Sequence, residues 1–156
     1  SSILIYNNLE RLSFAQGTID YDLPYLERIR PELLEGLNNI YYTNQKYLVD
    51  FNHTKQDRVR GMYVKRFNSI KISINESWSE YLPTLLCHEL LHHYLHHHMK
   101  YEEKIFWNNS YSLHKNFYGE EYMFQNNYDN YREFYAYFVS ENFPERCYGT
   151  EVLKFK

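Results

Sequence analysis

The sequence predicts an α+β domain over residues 1–156: a small twisted sheet, a helix carrying His-Glu-x-x-His, and a second helix carrying a glutamate. Three observations predict it. Residues 70–74, Ile-Lys-Ile-Ser-Ile, alternate apolar and polar as a half-buried strand does. Leu82, Leu85, Leu86, Leu90, Leu91 and Leu95 then recur at helical spacing. Finally, residues 129–142 put Phe134, Ala136, Tyr137 and Phe138 on a largely apolar helical body that stops before Pro144. No linker or internal repeat divides the 156 residues, a length that suits one domain with a real core.

Each element has its local reason. Residues 24–38 predict one or two helical turns broken at Pro31, with Leu26, Ile29, Leu33, Leu34 and Leu37 on one packing face. Residues 47–51 and 61–65 read as strands, and Phe67-Asn68-Ser69 turns the chain into strand 70–74. Along that strand an extended peptide substrate could add to the sheet edge, an ordinary hairpin being the alternative. Pro83 suits the first turn of the next helix, with Ser79 or a neighbour as its cap. Residues 100–126 read as an irregular, aromatic-rich segment. Asp129 or Asn130 caps the last helix.

The chemistry sits in the leucine-rich helix. His88-Glu89-Leu90-Leu91-His92 is an H-E-x-x-H pattern, and a helix puts its two imidazoles on one face, four residues apart. Two such imidazoles and a third ligand hold zinc with one position open, where a water loses a proton near neutral pH and a carbonyl is polarised. Glu89 is placed to move that proton. The bland alternative is a histidine-rich amphipathic helix that holds no metal.

Six of the eight histidines fall in residues 88–98, so the ligands must be chosen. At 100° per residue His93 and His97 leave the His88/His92 face for a solvent or loop boundary. His96 continues the series on the ligand side and reads as a capping or supporting group. His98 stands ten residues after His88, the spacing of a third ligand in H-E-x-x-H-x-x-G-x-x-H proteases. Those chains need a glycine to leave the helix, and Leu95 occupies that position here. A continued helix carries His98 elsewhere.

Glu133 is the better third ligand. It lies in the first turns of an apolar helix, where a carboxylate needs a partner. Its bland role is a helix-N-terminal acid favoured by the macrodipole. Glu120 and Glu121 compete from a segment preceded by Gly119.

Glu133-Phe134-Tyr135-Ala136, about forty residues after the first motif, resembles the catalytic domain of anthrax lethal factor and the related secreted Pro-Pro endopeptidases. Gly61-Met62-Tyr63 and residues 70–74 are similar to the strands preceding the active-site helix there. The resemblance covers residues 20–144. It implies a zincin-like, gluzincin-type metalloprotease with one zinc on His88, His92 and Glu133, with Glu89 as base and a protein or peptide as substrate. It also implies secretion, a toxin-like setting, and a tyrosine near the third ligand that steadies an oxyanion. Tyr128 is the nearest match, with Tyr122 and Tyr131 as alternatives. The family carries a second glutamate four residues after the ligand, where this chain has Tyr137; Glu141 is not its equivalent.

Composition narrows the classes. A net charge of −3 without a basic stripe argues against a nucleic-acid partner. No run of 18 apolar residues suggests a membrane span. Cys87 and Cys147 leave their pairing open, and oligomeric state is not legible. Two other readings fit the motif. One is an intracellular zinc protease that cleaves repressors, with Glu120 or Glu121 as third ligand. The other is a non-catalytic module that binds zinc through its histidine cluster; it has no use for Glu89.

Overall fold

The computed structural model describes residues 28–43, 45–48, 59–75, 77 and 82–149. Among them, six helices accompany one three-stranded sheet, a mixed α+β arrangement. The chain runs through α1 (Pro31–Leu34), β1 (Asn39–Thr43), β2 (Gly61–Val64), a 3-10 turn (Lys65–Phe67) and β3 (Ser69–Ser73). It continues through α2 (Leu82–His97), α3 (Tyr101–Tyr118), α4 (Glu120–Gln125), α5 (Tyr131–Asn142) and α6 (Glu145–Tyr148).

The first segment differs from expectation in a way proline explains. Pro31 opens α1 instead of breaking a helix, because its fixed φ suits a first turn and its missing N–H is not needed there. Ile29, Leu33, Leu34 and Leu37 are buried as expected, while residues 24–27, Leu26 among them, lie outside the described residues. Leu48 makes only an isolated bridge to Val59, and the rest of the expected strand 47–51 from residue 49 on lies outside the described residues, as does Ser79.

The sheet order is β1-β3-β2, with β1 parallel and β2 antiparallel to β3. Strand β3 is therefore central. Ile70 and Ile72 pair with Ile40 and Tyr42 of β1 on one side and with Tyr63 and Gly61 of β2 on the other. Strand β1 was not expected. Its alternation, Ile40 and Tyr42 inward and Tyr41 outward, gives it a buried face that five residues barely announce.

Helix α2 runs through Leu95, which is buried, to His97. Its Leu86, Leu90 and Leu91 pack with Ile40, Ile70 and Ile72 of the sheet and with Tyr135, Ala136 and Val139 of α5 in one core. Residues 101–118 are not irregular. They form the 18-residue α3, none of whose residues is buried. Aromatic contacts hold it: Trp107 lies 4.9 Å from Tyr135, and Tyr111 and His114 reach Phe134 at 6.0 and 5.0 Å.

Cys87 and Cys147 form a buried disulfide whose Cα atoms lie 5.8 Å apart. The closed loop contains His88, Glu89, His92 and Glu133. A crosslink over 60 residues removes unfolded-state entropy equivalent to about 4 kcal/mol. Next to it the Tyr148 hydroxyl donates to the Pro83 carbonyl, and the Arg30 N–H donates to the Cys147 carbonyl at 2.8 Å. The turn after α5 is thus tied to the start of α2. No helix among the described residues is long and apolar enough to cross a membrane.

Candidate metal centre

Two helices bring the ligands together. On α2 the four-residue spacing stacks His88 and His92, with ring centroids 4.7 Å apart. On α5 Asn130 is the cap: its Oδ1 accepts from the Glu133 N–H at 3.0 Å, which fixes Glu133 in the first turn. Ala136, one turn further, is completely buried. Its small side chain lets the two helices approach until the Glu133 carboxylate meets both imidazoles.

The resulting triangle has the size of a zinc site. The two Nε2 atoms are 3.1 Å apart. Glu133 Oε1 lies 3.0 Å from His92 Nε2, and Glu133 Oε2 lies 3.5 Å from His88 Nε2. Tetrahedral bonds of about 2.0–2.1 Å would set neighbouring ligand atoms about 3.3–3.4 Å apart. His88, His92 and Glu133 can therefore hold a metal ion, and among the described residues no other group of three does so.

An ion pair without metal would also join Glu133 to two imidazoles, but it leaves Glu89 unexplained. Glu89 is buried, its Oε1 is 3.7 Å from His88 Nε2, and its Oε2 has no hydrogen-bond partner. A buried carboxylate oxygen left bare beside a three-ligand triangle is costly. A bound ion carrying a water would satisfy it. Two imidazoles and one carboxylate are a donor set that suits a divalent cation.

Electrostatics follow from this crowding. Burial disfavours the charged form of His88, but Glu133 and Glu89 outweigh it and hold the imidazole above its ordinary range. Burial also pushes Glu89 up, against the pull of His88 and His92. Glu133 resists burial because both histidines donate to it, and its carboxyl stays well below the usual carboxylate range. A carboxyl raised above its usual range has the character that general-base chemistry needs.

The other histidines have structural work. His93 is not at a solvent boundary but fully buried, because its side of α2 packs under a segment 58 residues earlier in the chain. Its Nε2 donates to the Glu35 carbonyl at 2.8 Å, and its Nδ1 lies 3.2 Å from the Tyr63 hydroxyl. His98 donates to the same carbonyl at 2.6 Å, away from the triad. His97 is exposed and stacks on His93. His96 is exposed, with its ring 6.0 Å from Tyr63.

The remaining acids and tyrosines separate in the same way. Glu120 is exposed and pairs with Lys115 at 3.7 Å, while exposed Glu121 sits beside Gln125. Tyr128 is buried with Met123 and Phe134 in a second cluster that also includes Tyr122, and burial raises its hydroxyl to about 12. Its ring lies edge-on to Phe134 at 5.0 Å. Tyr131 packs against the main core. The tyrosine that touches a ligand is Tyr137, whose ring centroid is 4.1 Å from that of His88. Sequence reading placed Tyr137 only as a departure from the family pattern; its position one turn after Glu133 was the available signal.

Strand β2 borders the site. A Cβ on Gly61 would fall 2.9 Å from Leu85 Cδ1 and 3.4 Å from Glu89 Cγ, so the strand's backbone presses directly on the motif helix. Two residues on, Tyr63 faces the same helix through His93.

No protein-family model, curated protein or solved structure matches the chain.

Two outcomes follow from this geometry. Glu133→Ala should release zinc to a chelator far more readily than the parent, whereas His98→Ala should retain it; the opposite pattern would move the third ligand to His98. The site's share of the pH dependence of the metal-free protein has a defined sign. The raised pKa of His88 contributes stability below about pH 6.5 that is lost as pH rises through its folded value, and raised Glu89 acts in the same direction. Depressed Glu133 contributes above about pH 4.5 and loses its part as pH falls. His93, His96 and His114, lowered by burial, act the other way and lose stability as pH falls below about 6.5. The chelated parent should therefore lose more melting temperature between pH 6 and pH 8 than chelated Glu133→Gln, in which His88 lacks its charged partner. An equal or smaller loss in the parent would contradict it.

Proposed function

We propose that this chain is a zinc-dependent endopeptidase with a zincin-like, gluzincin-type site, hydrolysing peptide bonds of a protein substrate. The observation that carries the reading is Glu89: a buried carboxylate with one unpartnered oxygen, beside three ligands that leave a position open. A zinc ion on His88, His92 and Glu133 supplies Lewis acidity to a water and to the scissile carbonyl. Glu89 takes the proton of the attacking water and returns it to the leaving amine. Burial, which raises Glu89, favours the uptake of that proton.

The substrate path is at the sheet edge. Strand β3 is paired on both sides, so a peptide along residues 70–74 has no backbone groups to bind. The β2 edge is better placed, because Gly61 lies against Leu85 and Glu89. An extended peptide added there would run past the base. The disulfide suits an oxidising compartment, which supports secretion. It weighs against the repressor-cleaving intracellular reading, as does the exposure of Glu120 and Glu121. A module that only captures metal gains nothing from a buried base.

The test separates ligand from base. Glu89→Gln should keep one zinc and its melting temperature while hydrolysis of a peptide library falls about 10²–10⁴-fold. Cleavage at the parental rate would remove Glu89 from the mechanism, and a parent that binds zinc but cleaves nothing would favour the capture module.

A further inference from the structure

Of the three ligand side chains, His88 is the most deeply buried, 8% exposed against 16% for His92 and 32% for Glu133. Its Nε2 faces the other ligands. A metal-bound histidine ordinarily keeps its ring in place by donating from the second nitrogen to a carboxylate, carbonyl or water. In His88 that nitrogen, Nδ1, is buried and only a poorly aligned contact with the Ala136 carbonyl serves it. So weak a contact leaves room for a second constraint on the ring.

Tyr137 supplies the constraint. Its ring lies against the imidazole with centroids 4.1 Å apart and planes inclined by 43°. This is at the short end of aromatic packing distances. His92 also meets the same ring edge-on, at 4.7 Å and 82°. Tyr137 is also four residues after Glu133, so consecutive turns of α5 present one metal ligand and the ring that holds another. The half-buried ring is itself fixed by α5, whose Ala136, Val139 and Ser140 are buried.

We propose that Tyr137 is a positioning residue of the metal centre: its ring packs on the His88 imidazole and sets the direction of Nε2 where the Ala136 carbonyl alone is too poorly aligned to do so. The proposal rests on the metal-centre reading and assigns the function to the ring, not to the hydroxyl. Two properties then separate. Tyr137→Phe keeps the ring and should keep the site, while Tyr137→Ala leaves the imidazole free to turn.

Zinc dissociation constants from chelator competition, together with absorption spectra of the cobalt-substituted proteins, test this directly. The parent should bind one zinc. Tyr137→Phe should match it within about twofold, and Tyr137→Ala should bind about 10–100-fold more weakly, with a shifted cobalt spectrum at saturation. The spectrum reports ligand orientation and would not move if Tyr137 only contributed to folding. Should Tyr137→Ala fail to fold, Tyr137→Leu, which keeps most of the volume but no ring, carries the same comparison. Parental affinity and spectrum in the ringless variant would overturn the proposal, and so would a Tyr137→Phe as weak as Tyr137→Ala. A parent that binds no zinc would overturn the metal-centre reading with it.

Discussion

The approach of α5 to α2 is the constraint on which the site depends. Alone, α2 offers two imidazoles four residues apart, which bind metal weakly in any exposed helix. Glu133 reaches the two imidazoles because Ala136 and Val139 pack into the same core as Leu86, Leu90 and Leu91. The Cys87–Cys147 disulfide fixes both ends of that arrangement. Cys87 precedes His88 on α2, and Cys147 lies in α6, the short helix that follows the one carrying Glu133. Hydrophobic packing sets the distance between helices, and the crosslink limits how far they part when a buried carboxylate and two imidazoles oppose desolvation.

That opposition gives the site its chemistry. Glu89 and His88 share a buried space with Glu133, and each is pushed away from its ordinary pKa by the others and by burial. Such a cluster is expensive in a metal-free protein. A divalent ion would replace the protons that otherwise balance the charges, which would couple metal binding to the stability of the helix pair.

How much of this was legible in the sequence depends on how local each cause is. His88, Glu89 and His92 are visible because four-residue spacing on one helix is the chemistry itself. Glu133 is visible because an acid in an apolar helix asks for a partner. The fate of His93 was not legible: its acceptor, the Glu35 carbonyl, comes from far along the chain. Strand β1 is hidden for the same reason, as its partner β3 begins thirty residues later. Helix α3 defies pattern reading because Phe106, Leu113 and Phe117 point to solvent while Trp107 and Tyr111 pack, so no polar face marks it. The resemblance pointed to Tyr128, yet the turn before α5 places it in the second cluster, and α5 itself brings Tyr137 against His88.

The most direct test of the account is X-ray absorption at the zinc edge of the zinc-loaded protein. Two imidazole nitrogens and oxygen donors at about 2.0–2.1 Å are the predicted shell. Three or more imidazoles in that shell would place the ion in the histidine cluster at the end of α2 and contradict the assignment of Glu133.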